Sequence, residues 1–123
     1  MRTLVVDDSK TMRSLIRGVL TQMGHTTVDE AASGPDALER VASCRPDLIL
    51  VDWNMPGMDG LTFVRTIRAR GNAASIILLT TETGKSRVIA AIKAGVDNYV
   101  VKPFTPDVLH QRIAETISRL RVA

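Results

Sequence analysis

Only one cysteine, Cys44, occurs in 123 residues, so no disulfide can form within the chain, which fits a reducing cytoplasm. Aromatic residues are almost as scarce: Trp53, Phe63, Tyr99 and Phe104 make up 3% of the sequence. With no basic tract carrying interleaved aromatics, composition argues against nucleic-acid binding. No apolar run approaches the length of a membrane span, and the opening "MRTLVVDDS" meets an acid pair too early for a signal peptide. Histidine and cysteine do not cluster in any zinc-binding pattern. His25 follows a helix-ending glycine and His110 falls within the last helical pattern, so both read as surface residues. A Gly-rich phosphate loop, a linker and a low-complexity segment are also missing.

What remains describes one globular domain, residues 1–123. Hydrophobic residues at 45% and charged residues at 24% are enough for a core and argue against disorder. The formal charge of +3 is unevenly spread: residues 1–83 carry nine basic and ten acidic side chains, residues 84–123 seven and three. The basic third reads as solvated surface or as a face for an acidic protein segment.

Apolar runs alternate with helical patterns five times. Strands are expected at Thr3 to Val6, Thr26 to Ala31, Leu48 to Val51, Ser75 to Leu79 and Asn98 to Val101. Between the first two, Met12, Leu15, Ile16, Val19, Leu20 and Met23 form a helical stripe; Leu109, Ile113, Ile117 and Leu120 form another at the end. Gly24, Gly71 and Gly95 mark three helix ends. Ser33 with Asp36, Asp59, and Thr105 before Pro106 mark helix starts. Strict β/α alternation with near-continuous apolar strands such as "LILV" and "IILL" implies an α/β fold: a parallel sheet, doubly wound, with helices on both faces.

Ligands in such sheets bind beyond the carboxyl ends of the strands. Those ends read Asp7-Asp8, Asp52, Thr80-Thr81 and Lys102, while the second strand ends blandly in Ala31-Ala32. Three carboxylates brought together repel unless a cation joins them, and all-oxygen donors favour Mg²⁺, with Mn²⁺ as a substitute. A carboxylate beside Mg²⁺, an ammonium and a hydroxyl donor has the parts of a phosphoryl-transfer site in which the carboxylate is the nucleophile.

The ordered set Asp7-Asp8, Asp52, Thr80 and Lys102-Pro103, with "DWNMPGMDG", "AAIKAGVDNYVVKPFT" and "SKTMR", resembles the receiver domain of two-component response regulators over the whole chain. Its nearest likeness is to that family's stand-alone chemotaxis regulators. The resemblance implies a five-stranded flavodoxin-like sheet of order 2-1-3-4-5 with five helices. It implies that Asp52 accepts a phosphoryl group from a sensor histidine kinase. Mg²⁺ would be coordinated by Asp8, Asp52 and the backbone carbonyl of Asn54, with Asp7 acting directly or through water. Lys102 would contact phosphoryl oxygens, Thr80 would donate a hydrogen bond, and Tyr99 would swing from exposed to buried. Asn54 and Glu82 would tune hydrolysis of the aspartyl phosphate, and the Lys102-Pro103 peptide would be cis.

The implied protein is a cytoplasmic, monomeric signalling protein that catalyses only its own phosphorylation and dephosphorylation. Its implied partners are the kinase, a phosphorylation-dependent target such as a flagellar motor switch protein, and a phosphatase. The output face would comprise the fourth helix, fifth strand and fifth helix, rimmed by Lys85, Arg87, Lys93, Arg112 and Arg119. Trp53 is expected to be partly exposed beside the site, and Met55 and Met58 to pack the loop. A phosphorelay shuttle or phosphate sink is the alternative output. A Mg²⁺-dependent phosphohydrolase would want a DxDxT pattern where this chain has "DDSK". A flavin binder would want a hydroxyl-rich phosphate loop in place of those acids.

Overall fold

A computed structural model describes residues 1–81 and 83–122, with the side chains of Arg121 and Val122 excepted. The elements alternate throughout: β1 (Thr3–Val6), α1 (Lys10–Gln22), β2 (Val28–Ala31), α2 (Gly34–Cys44), β3 (Leu48–Asp52), α3 (Gly60–Ala69), β4 (Ser75–Thr80), α4 (Lys85–Ala94), β5 (Asn98–Val101) and α5 (Pro106–Val122). All strand pairings are parallel, in the order β2-β1-β3-β4-β5. The order reverses between β1 and β3, and the crevice outside that switch point is where the acids collect.

Every residue of β1, β3 and β4 is buried, as a sheet covered on both sides demands. On one face Ile16, Val19 and Leu20 of α1 and Leu109, Ile113 and Ile117 of α5 pack against Val5, Leu50, Ile77 and Val100. On the other, α2, α3 and α4 contribute Ala37, Phe63, Ile67 and Ala91 against Leu4, Val6, Ile49 and Leu78.

Boundaries differ from the sequence expectation in an instructive way. β2 begins at Val28, not Thr26, because its register starts with Thr3 opposite Val28 and β1 offers no earlier partner. β3 and β4 each run one residue further, since Asp52 pairs with Leu79 and Thr80 with Val101. Both site residues therefore sit inside strands. Helix starts follow the side-chain caps: Ser33 accepts from the Asp36 amide, Asp59 from Thr62 and Thr105 from Val108.

Candidate functional site

The acid in β3 is held from three sides. Asp52 is 4% exposed, and its Oδ1 accepts from the Asn54 amide at 3.2 Å. The Trp53 amide donates to the Leu79 carbonyl at 2.8 Å, carrying the ladder past the carboxylate. Behind it, the Gly60 amide donates to the Trp53 carbonyl at 3.0 Å. A Cβ on Gly60 would overlap the Asp52 carbonyl oxygen and lie 2.9 Å from the Trp53 Cα, so only glycine lets α3 start this close to β3.

The doublet that follows β1 divides its labour. Asp7 is buried at 1% exposure; its Oδ1 accepts from the Ser9 amide at 2.9 Å and its Oδ2 lies 3.3 Å from Lys102 Nζ. Burial raises its pKa above the ordinary carboxylate value, against the lowering pull of the Ser9 hydrogen bond and the Lys102 charge. Asp8 is exposed, and its side chain has no hydrogen-bond or ion-pair partner among the described residues.

Lys102 Nζ stands 3.0 Å from Asp52 Oδ1 as well, so one ammonium bridges two buried carboxylates. Its backbone is tied to the neighbouring strand, the Lys102 amide donating to the Thr80 carbonyl at 2.7 Å. The Lys102–Pro103 peptide is cis. Thr80 is fully buried at the end of β4. Tyr99 is half-buried and packs against the core of the α2–α4 face. Exposed Asn54 reaches the β4–α4 loop, its Oδ1 3.4 Å from the Thr81 hydroxyl. Glu82, expected to tune hydrolysis, lies outside the described residues.

Ligand oxygens of Asp7, Asp8 and Asp52 all lie within 4.8 Å of one another. A single lysine cannot offset three carboxylates, and Asp8 offers an unused carboxylate at the open side. This oxygen-only donor set fits a hard divalent cation such as Mg²⁺. No histidine or cysteine belongs to the cluster.

These observations agree with what comparison shows. Residues 3–114 match the response regulator receiver domain. The chain belongs to that family. The receiver is 48% identical over 116 residues to chemotaxis protein CheY1 of Helicobacter pylori, covering 92% of this chain and 94% of that one. It is 47% identical over 120 residues to the chemotaxis protein CheY homolog of Campylobacter jejuni, covering 95% and 92%. Among solved structures, it is similar to the chemotaxis response regulator CheY4 of Vibrio cholerae, with a TM-score of 0.87, 33% identity and coverage of 94% and 97%. It is therefore a two-component signalling domain of the CheY-like kind, with the flavodoxin-like topology.

One expectation fails: Trp53 is buried at 4% exposure. The ladder continues through its amide, it joins the α2–α4 core, and Arg87 of α4 lies over its ring at 4.8 Å from the centroid. Met55 is buried in the same core and Met58 packs against it. Of the five basic rim residues, three are engaged within the chain. Besides Arg87, Arg112 pairs with Glu115 at 3.3 Å and Arg119 donates to the Asp97 carbonyl at 2.9 Å. Sequence reasoning also passed over the exposed Ile89, Ile92, Val101 and Val108 of α4, β5 and α5. Ile89 and Ile92 are three apart on α4, a spacing that could have flagged them as one face. A groove of about 570 Å³ is lined by Leu38, Val41, Arg45 and Ala74 at the other edge of the sheet and contains no site residue.

Among the described residues, no helix is long and apolar enough to cross a membrane.

Proposed function

We propose that the receiver accepts a phosphoryl group on Asp52 from the phosphohistidine of a sensor histidine kinase and then binds a protein target through α4, β5 and α5. The observation that carries this reading is Lys102 Nζ set between Asp52 and Asp7, beside an acidic cradle at the sheet's carboxyl edge. A carboxylate oxygen of Asp52 attacks phosphorus, the P–N bond breaks, and the imidazole leaves with the electron pair. Lys102 takes up the charge of the phosphoryl oxygens, while Thr80 donates to one of them and draws its loop inward. Because Lys102 is hydrogen-bonded to Thr80 through the backbone, the two respond together, and Tyr99 in β5 follows. Asn54, with Glu82, positions the water that later hydrolyses the acyl phosphate.

Asp8, Asp52 and the Asn54 carbonyl would hold Mg²⁺, with Asp7 directly or through water; a bound ion would offset the repulsion between incoming phosphate and three acids. The names of the relatives support a role in chemotaxis; the target we propose for that role is a flagellar motor switch protein. The test is labelling with acetyl phosphate in Mg²⁺. Wild type is labelled, and neither Asp52→Asn nor wild type in excess chelator is. Equal labelling of Asp52→Asn overturns the assignment.

A further inference from the structure

The part of the acidic cradle that faces solvent has the least to hold it. The Asp8 side chain makes no hydrogen bond or ion pair with the described residues, so its place depends on the peptide that joins it to Asp7. That peptide is gripped by a residue outside the acid set. Arg13, in the first turn of α1, donates from Nη1 to the Asp7 carbonyl at 2.7 Å. Helical side chains lean toward the N-terminus, which lets Arg13 reach back over its own helix start to the end of β1.

The guanidinium is itself fixed. Its Nε donates to Glu30 Oε1 at 3.0 Å, and only 15% of the Arg13 side chain is exposed. Glu30 is the third residue of β2, in register with Val5, so its anchor is the sheet. A second guanidinium, that of Arg17, lies 3.5 Å from the other Glu30 oxygen and donates to the Val28 carbonyl at 2.7 Å. β2 thus contributes through Glu30, one residue before its bland end. A planar fork that bonds a carboxylate and a carbonyl at once holds direction as well as distance, which a lysine cannot do.

We infer that Arg13, held by Glu30, is a positioning residue that fixes the Asp7–Asp8 peptide and so presets the cradle for a divalent cation. This inference rests on the metal-binding reading above. It opposes a purely electrostatic expectation, under which removing a nearby cation tightens metal binding. It also opposes a merely structural one, under which the fold weakens and metal affinity stays put.

Mg²⁺ titrations followed by the amide resonances of Asp8, Ser9 and Asn54 separate these, with urea unfolding run in parallel. Arg13→Met should weaken Mg²⁺ about tenfold, as loss of an outer partner of metal ligands does. Arg13→Lys should fall between, since an ammonium can still donate to the carbonyl. Without metal, Arg13→Met should speed hydrogen exchange at the Asp8 and Ser9 amides. At saturating Mg²⁺ its labelling rate should return to that of wild type. Unchanged or tighter Mg²⁺ binding by folded Arg13→Met overturns the inference. If Arg13→Met does not fold, Arg13→Lys decides, because it keeps the charge and loses the fork: weaker binding supports the inference, and unchanged binding overturns it. A wild type that fails to bind Mg²⁺ refutes the metal reading itself, whereas a wild type and variant that bind equally refute only the role of Arg13.

Discussion

The guanidinium of Arg87 lies 4.8 Å from the centroid of the Trp53 ring, joining the first turn of α4 to the residue after Asp52. Little else holds that turn. Ala91 is the only buried residue of α4, and its N-cap, Gly84, supplies no side-chain hydrogen bond. Arg87 also sits at the positive end of the helix dipole, where a cation is disfavoured without a partner. Arg87→Ala should therefore cost about 0.5–1 kcal/mol in urea unfolding. Trp53 emission should change in the folded state, and hydrogen exchange should quicken in α4 and not in α5. Unaltered emission and exchange would show that the contact restrains nothing.

Among the described residues, Lys102 is the sole cation paired with the two buried carboxylates, so Lys102→Ala leaves both charges without an ion-pair partner. In metal-free buffer this should cost about 3–5 kcal/mol, much of it recovered on adding Mg²⁺. Once phosphorylated, the variant should bind its target no better than the unmodified form, because the contact between the phosphoryl group and β5 is gone. Tight, phosphorylation-dependent binding by the variant would remove Lys102 from the switch.

Asp7 gives a pH signature. Its pKa is raised in the folded state, chiefly by burial, so protonation favours the fold. The stabilising contribution is complete below the ordinary carboxylate value and is lost as pH rises through the folded one. Asn keeps an acceptor for the Ser9 amide without the charge. In metal-free buffer Asp7→Asn should thus be more stable than wild type at pH 7, with the gap closing toward acid. Melting curves across pH check this; a gap that widens on acidification contradicts it.

Gly60→Ala would press a methyl group into backbone, with no flexible side chain to yield. The expected loss is about 1–3 kcal/mol, together with slower labelling of Asp52, whose carbonyl must move. A variant with wild-type stability and rate would mean that α3 can retreat freely.

Among the described residues, the rim lysines of the proposed output face, Lys85 and Lys93, are both exposed and without an ion-pair partner. With Ile89 and Ile92 also exposed on α4, the face suits an acidic amphipathic helix of the target. Lys93→Glu should mainly slow association at low salt, while Ile92→Ala should mainly hasten dissociation. Stopped-flow measurements over a salt series distinguish the two effects; an association rate indifferent to both salt and Lys93 defeats the charge argument.

Residue order alone determined the architecture and the acids. Period-two and period-3.6 patterns mark βα alternation, unbroken runs such as Leu48 to Val51 mark strands buried on both faces, and polar residues closing those runs must fall on one edge of a parallel sheet. Local chemistry also marked the helix starts at Ser33, Asp59 and Thr105. The end of α2 escaped because Arg45 takes the left-handed conformation there, with a φ of 49°, where glycine is the usual signal.

Tertiary structure decided whatever depends on partners distant in sequence. Burial of Trp53 needed Leu79 and Arg87 beside it; division of the doublet into a buried Asp7 and an exposed Asp8 needed Lys102, 95 positions from Asp7. The clamp of Arg13 on Glu30 joins a helix to a neighbouring strand 17 positions away. Hydrophobic periodicity reports which face of an element is inward, because burial of apolar area acts on each element separately. Directional contacts between charged groups depend on the register and spacing of several elements at once, and one-dimensional pattern carries no such geometry.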